Sequence, residues 1–368
     1  MSELYVGLMS GTSMDATDAV LVQIDADGKP ALHTSLSFPI PIELRNRLLQ
    51  LSVSDQWRAD EFAELDVLFS EHSAVAVNEL LSKAQVPAGN VTAIASHGQT
   101  VRHKPGHRSP YTLQLGDPSR LAFNTQIDVI HDFRRKDVAA GGQGAPLVPA
   151  FHRHIFAQRE KSVAIVNLGG IANITWLGPQ QQLLGFDTGP ANTLMDQWIQ
   201  HCNANKSYDE NGHLASQGKV IEELLNVLLQ HPFFSRKAPK STGREEFNLA
   251  YLEPLLKANY TPEDVQRTLL ALTAETLSNE INGLPTKPEQ VYFCGGGTNN
   301  ELLITEITQR LGSTICGTTQ ELGVDPQWVE AMAFAWLGWC YEHKRPGNHP
   351  AVTGAAAPVV LGSKTLFA

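Results

Sequence analysis

Short apolar runs alternate along this chain with longer stretches whose apolar positions recur every three or four residues. The first kind reads as strand: Leu4–Met9, Ala19–Ile24, Val91–Ala95, Val163–Leu168 and Ile171–Leu177, each bounded by small or polar residues. The second kind predicts helices over Ala63–Leu81, Thr193–His201, Val220–Gln230, Thr268–Ile281 and Leu302–Leu311. One more helix is marked at its start, with Asp325 as N-cap, Pro326 at the first helical position, and Val329, Met332, Ala333, Trp336 and Cys340 on one face. Strands alternating with helices predict an α/β protein. A strand–loop–strand unit occurs at Leu4–Ile24 and again at Val163–Leu177, about 160 residues on, which predicts two similar halves rather than a short-period repeat.

Length agrees with that duplication. The 368 residues suit two domains of about 150–200 residues each. The boundary is expected near Pro146–Pro149, giving domains 1–150 and 151–368. A formal charge of −10 disfavours nucleic acid, whose phosphates call for a basic footprint. No apolar run approaches the ~20 residues that span a bilayer, and Met1-Ser2-Glu3 does not read as a signal peptide, so no membrane partner and a cytoplasmic location are expected. Cys202, Cys294, Cys316 and Cys340 show no paired spacing and are expected as reduced thiols. Positive charge gathers at Arg134–Lys136 and Lys237–Arg244. Such islands are ordinarily solvated loops, and gain interest only beside an anion.

The candidate chemistry sits where strands end. The stretch "GLMSGTSMDATD" places Ser10, Gly11, Thr12 and Ser13 directly behind the first apolar run; it fits a tight hairpin or a phosphate cradle. Glycine lets backbone N–H groups approach an anion closely. Gly169-Gly170 and Gly295-Gly296-Gly297 repeat the feature, the last before a helix whose N-terminus favours negative charge. One such loop is an ordinary turn; three at the ends of β runs point to a phosphate site. Neither a Walker P-loop nor a supported dinucleotide fingerprint is present. In "LLGFDTGPAN" an apolar run ends at Phe186 and delivers Asp187 into a loop ahead of a helix, as either a general base or a helix cap. Glu330, one turn into its helix, is open to the same two readings. His97, Gln99 and Thr100 follow a β run and could hold a sugar hydroxyl, with a structural histidine as the alternative. His97, His103 and His107 lack any zinc framework, so no metal held by the protein alone is expected. Arg134 and Arg135 could clamp a carboxylate or phosphate, or form a surface ion-pair network.

Together these stretches resemble one family, the anhydro-N-acetylmuramic acid kinases of the actin/hexokinase/Hsp70-like ATPase superfamily. The resemblance rests on "GLMSGTSMDATDA", "ASHGQTVRH", "DFRRKDVAAGGQGAPLVP", "VNLGGIANIT", "GFDTGPAN", "PKSTGREEFN", "CGGGTNN" and "GVDPQWVEAMAFA", in that order from end to end of the chain. One departure is Ala16, where the family more often has Gly; a positive φ there would be costly for Ala. The resemblance implies two actin-like (ribonuclease H-like) lobes with an ATP cleft between them. It implies a first phosphate loop of Gly11, Thr12, Ser13, Met14, Asp15, Ala16, Thr17 and Asp18, a second at Gly169 and Gly170, and an adenosine-side loop at Gly295, Gly296 and Gly297. Asp187 is implied as catalytic base and Glu330 as a substrate-site residue, with His97, Gln99, Thr100, Arg134 and Arg135 on the sugar side.

The implied reaction opens 1,6-anhydro-N-acetylmuramic acid with water and phosphorylates O6 from ATP, with Mg²⁺ carried on the ATP phosphates. The implied setting is peptidoglycan recycling and the implied assembly a homodimer. Two rivals remain at this level: a sugar kinase acting on an intact hydroxyl, and a non-enzymatic ATP-dependent regulator on the same fold. Fold alone does not separate the three.

Overall fold

The short apolar runs form strands and the periodic stretches form helices in the computed structural model, which describes residues 2–54, 56–158 and 160–368. In chain order the strands are β1 (Glu3–Met9), β2 (Ala16–Ile24), β3 (Pro30–Pro39), β4 (Ala93–Ser96), β5 (Gln99–Lys104), β6 (Tyr111–Leu115), β7 (Val129–His131), β8 (Val163–Leu168), β9 (Ile171–Leu177), β10 (Leu183–Pro190), β11 (Gln290–Cys294), β12 (Ile315–Thr318) and β13 (Ser363–Thr365). The chain divides into two compact units, residues 1–155 with 328–368, and residues 156–327.

The expected duplication is visible in the strand order. The first unit has the sheet β13-β7-β4-β1-β2-β3 and the second β10-β9-β8-β11-β12. In each, three strands run antiparallel as a meander, and two more join the first strand in parallel: β4 and β7 in one unit, β11 and β12 in the other. Counted within its own main sheet, the order of these five strands is 3-2-1-4-5 both times, as the resemblance to two actin-like, ribonuclease H-like lobes implies. The first unit adds β13, antiparallel to β7, and a separate β5–β6 hairpin.

The expected boundary at 150/151 differs from this division mainly at the C-terminal end, because residues 328–368 return to the first unit. The reason is the helix Val329–Glu342. Its expected apolar face extends nearly all the way round: eleven of its residues from Val329 to Cys340 are buried. A helix apolar all round needs cover on every side, and it lies against β1, β2 and β4. Trp336 and Trp339 accordingly pack inside, 5 % and 1 % exposed. The helix also starts later than Asp325 suggested. Asp325 caps a preceding turn through the Gln327 N–H (2.9 Å), and the helix itself begins at Val329.

Glycine makes this docking possible. A Cβ on Gly7 of β1 would stand 2.1 Å from Ala331 O and 2.9 Å from Ala335 N, both helix backbone atoms. A Cβ on Gly338 would meet the Ala95 methyl at 2.8 Å. The opposite face of β1 packs Val6 and Leu8 with Ala19 and Leu21 of β2 against Ala74, Val77, Leu80 and Leu81 of the helix Ala59–Ala84. In the second unit, β8, β9 and β11 bury Val166, Ile174 and Phe293 with Leu269, Leu270 and Leu277 of the helix Pro262–Asn282.

Overpacking a filled interior costs about 1–3 kcal/mol, and a backbone carbonyl yields less than a side chain. Gly7→Ala is therefore expected to lower unfolding free energy by at least about 2 kcal/mol in urea titration. Gly11→Ala, where a Cβ meets nothing within 4 Å, should unfold like the parent chain.

Candidate active site

In the first unit, the loop between β1 and β2 is a hairpin connection held by side chains from other elements. β1 and β2 pair from Glu3 with Ile24 to Met9 with Asp18. β2 starts at Ala16, three residues before the apolar run, so residues 10–15 alone form the connection. Ala16 pairs with Pro39 and lies outside the left-handed region, so Gly is not needed there; the left-handed residue is Met14, with φ 54°. Met14 drives its side chain into a cluster with Ile40, Leu44, Leu48 and Phe69, and that burial offsets the backbone cost. Arg45, on the helix Ile42–Val53, pairs with Asp15 at 2.5 Å and donates to Ser13 O through Nε (3.3 Å) and Nη2 (3.2 Å). The sequence reading missed Arg45 because it did not assign that helix.

Gln99 and His97, expected against a sugar, are 1 % and 5 % exposed and make bonds within the protein. Gln99 Oε1 accepts from Ser10 Oγ (2.7 Å), and its Nε2 donates to Gly11 O (3.4 Å) and Thr100 O (3.2 Å). Gln99 thus holds the loop. His97 Nε2 accepts from Arg134 Nε at 3.0 Å. Burial, and then the Arg134 charge, hold this imidazole well below its usual range, so it is neutral and orients Arg134. Thr100 is half-buried on the β5–β6 hairpin and accepts from Gln114 Nε2 (3.2 Å). Of the two arginines, Arg134 lies inward: Nη1 donates to Gly144 O (2.8 Å) beside the His97 contact. Arg135 is turned out, its side chain 56 % exposed and 3.6 Å from Asp132.

Glu330 joins this group from the first turn of the docked helix. One turn later Phe334 packs on His97 and Phe133, with ring centroids 4.7 and 5.5 Å apart, so the helix, the end of β4 and the helix Phe133–Ala139 converge. Burial pushes the half-buried Glu330 carboxyl up to about 6; Arg134 opposes the shift and Asp18 adds to it. Burial likewise raises Asp18 to about 6, against a hydrogen bond from Ser37. A carboxylate pair, one inward arginine and a glycine-bearing loop therefore meet at the end of β1. Such a group can receive an anion, a cation and a hydroxylated ligand together.

The second unit carries Asp187. It lies within β10, which continues past a bulge between Asp187 and Gly189 to Pro190, instead of in the loop expected after Phe186. Its N–H donates to Lys240 O (3.0 Å), and the Thr242 N–H donates to its Oδ2 (2.9 Å). A hydrogen bond onto a charged group contributes about 1.5–3 kcal/mol. The carboxylate is thus aimed by a segment more than fifty residues away in sequence, part of the basic stretch that alone resembled a solvated loop.

Two glycine loops stand in the same unit. Asn192 fastens the Gly169-Gly170 turn by donating through Nδ2 to Leu168 O (3.0 Å) and Gly169 O (2.8 Å). Gly295, at φ 83°, could not carry a Cβ, which would stand 2.3 Å from Asn167 Oδ1; at Gly297 it would meet the Leu168 side chain at 2.7 Å. Gly296 between them faces open space. The helix expected directly after these glycines begins at Glu301, capped by Asn300, with a 3₁₀ turn over Gly296–Asn299 in between.

The raised carboxyls set a pH dependence. The folded state holds protons on Asp18 and Glu330 between about pH 4 and 6 that the unfolded chain releases. Their contribution to stability is thus full below about pH 4 and declines as pH rises through 6. Glu330→Gln is expected to exceed the parent in unfolding free energy by on the order of 1 kcal/mol at pH 8, allowing for partial exposure, and to match it near pH 4. Urea titrations at the two pH values measure this.

Comparison with known proteins agrees along the whole chain. The family profile described as anhydro-N-acetylmuramic acid kinase matches residues 3–366. A protein of Idiomarina loihiensis named anhydro-N-acetylmuramic acid kinase is 61 % identical over 367 residues, covering 100 % of both chains. One of Shewanella frigidimarina with the same name is 50 % identical over 370 residues, covering 98 % of each. Among solved structures, the activator of the 2-hydroxyisocaproyl-CoA dehydratase from Clostridium difficile, with bound ADPNP, aligns with a TM-score of 0.45 and 12 % identity, over 91 % of this chain and 93 % of that one.

Proposed function

The chain belongs to the anhydro-N-acetylmuramic acid kinase family, which phosphorylates the anhydro sugar in cell-wall recycling, and from that premise we propose how its residues divide the reaction. Asp187 takes a proton from a water molecule as that water attacks C1 of 1,6-anhydro-N-acetylmuramic acid. The C1–O6 bond breaks with its electron pair going to O6, which attacks the γ-phosphoryl group of ATP. ADP leaves, N-acetylmuramic acid 6-phosphate remains, and the proton passes from Asp187 to solvent. In an inverting glycosidase a second carboxylic acid protonates the leaving oxygen. Here the phosphoryl group captures that oxygen, so a single base serves.

The observation that carries this reading is the fixed carboxylate of Asp187, held at its backbone by Lys240 and at Oδ2 by Thr242. A base held in place before the substrate arrives loses little in reorganisation. Glu330 and Arg134 bind the sugar in this reading, with Arg134 taking its carboxylate or a phosphate oxygen. Loop 10–15 with Asp18, the Gly169-Gly170 turn and Gly295–Gly297 take the nucleotide. Open space at Gly11 and Gly296 suits phosphate oxygens approaching the backbone.

Mg²⁺, were it bound, would offset the charge of the phosphates. In this reading Asp18 would stand beside the ion, whose other ligands would come from the nucleotide and water. No described helix is long and apolar enough to cross a membrane. The proposed setting is the cytoplasm and the proposed working form a homodimer.

Three measurements test the assignment. General-base assistance contributes about 10²–10⁴-fold, so Asp187→Asn should lose turnover by that factor while still binding both substrates in calorimetric titration. Near-normal turnover would return Asp187 to a purely structural part. Run in ¹⁸O-water and read at early times, the reaction should place label at C1 and none on phosphate; unlabelled C1 would mean phosphorylation without hydrolytic opening. Glu330→Ala should instead weaken sugar affinity and turnover together, as steady-state kinetics with direct sugar titration can separate.

A further inference from the structure

Lys240 belongs to a basic stretch that composition would leave in solvent, yet its side chain is 3 % exposed. A buried ammonium is costly unless it is paired. Its Nζ lies 2.7 Å from Glu280 Oε1, on the helix Pro262–Asn282, and 4.8 Å from the centre of the Phe233 ring. The same residue's carbonyl accepts the Asp187 N–H, and two residues on Thr242 donates to Asp187 Oδ2. Residues 236–242 form neither helix nor strand, so no ladder of backbone bonds fixes them. Side chains help to fix them: Lys240 on Glu280, and Thr242 Oγ1 (3.0 Å) and Arg236 (2.9 Å) on Glu246.

We propose that Lys240, through its buried ion pair with Glu280, is a positioning residue for the carboxylate of Asp187. Lys240 touches no reacting atom in this proposal. Its ammonium anchors the segment to the long helix, and the segment's backbone then sets the place and direction of the base. The inference rests on the reading of Asp187 as the water-activating base. It predicts a defect in the chemical step rather than in binding, since a small displacement of a catalytic group can cost up to about 100-fold in rate.

The test compares Lys240→Met, Glu280→Gln and Asp187→Asn in the full-length protein, by sugar-dependent ATP turnover across pH. Lys240→Met should lose about 10- to 100-fold in kcat with the KM of both substrates within about twofold. Glu280→Gln keeps an acceptor for Lys240 Nζ and should lose less, in the same direction. In both, the acid limb of kcat against pH should move to higher pH, because a poorly placed Thr242 N–H supports the ionised carboxylate less. A merely structural ion pair would lower the melting temperature and leave that limb in place.

The proposal is overturned if folded Lys240→Met keeps kcat within twofold of the parent, or if its loss appears in KM with an unmoved acid limb. Should Lys240→Met fail to fold, Glu280→Gln decides alone: a shifted limb with reduced kcat supports the proposal, and an unchanged profile overturns it. Asp187→Asn separates the two readings. If it is inactive while the Lys240 variant is normal, only the positioning inference falls; if it is itself active, the assignment of the base falls.

Discussion

The first unit is organised by one close approach, the backbone of the helix Val329–Glu342 against Gly7 of β1. With no side chain at Gly7, helix and sheet meet at a distance that any Cβ would forbid. That contact fixes the height of the helix over the sheet, and hence the place of Glu330 at its first turn. It also explains why eleven helix residues are buried, since the helix is sunk between the sheet and the remainder of its unit. The raised carboxyl of Glu330 follows from the same depth.

The second unit obtains precision by related means. Gly295 and Gly297 press the chain after β11 against Asn167 and Leu168 at the end of β8, while Asn192 ties the adjoining turn by side-chain bonds. Asp187 stands on the edge strand β10, two strands from β8, at a bulge that turns the β10 ladder locally out of register. Each unit thus pairs a glycine-bearing loop at a strand end with a carboxylate on a well-buried element. The shared strand order makes this a repeated solution with different attachments, Arg45 in one unit and Asn192 in the other.

Much of this was legible in the sequence because strand–loop–strand periodicity is local. The pairs Leu4–Met9 with Ala19–Ile24 and Val163–Leu168 with Ile171–Leu177 appear as the two hairpins, and the glycines mark where strands stop. Ala16-Thr17-Asp18 was harder to assign: polar Thr17 is buried and Asp18 lies on a strand, so β2 reaches further into the loop than apolar content suggests. Long-range partners were not legible. Nothing in "PKSTGREEF" announces that Lys240 is buried against a glutamate forty residues on, or that its carbonyl meets Asp187. His97 and Gln99 look like ligands in a sequence for the same reason that they make good struts. Short polar side chains near a strand end serve either purpose, and only their partners tell which.

The return of residues 328–368 to the first unit has a consequence for the order in which the protein is made. The second unit is one continuous segment, 156–327, and holds all of its own sheet. The first unit has its sheet strands β1–β4 and β7 early but lacks the helix that covers the Gly7 face until residue 342 has been synthesised, and β13 after that. During elongation at about 5–20 residues per second, that face of the nascent chain waits uncovered while the middle of the protein is already complete. The ribosome therefore finishes the inner segment before the outer one.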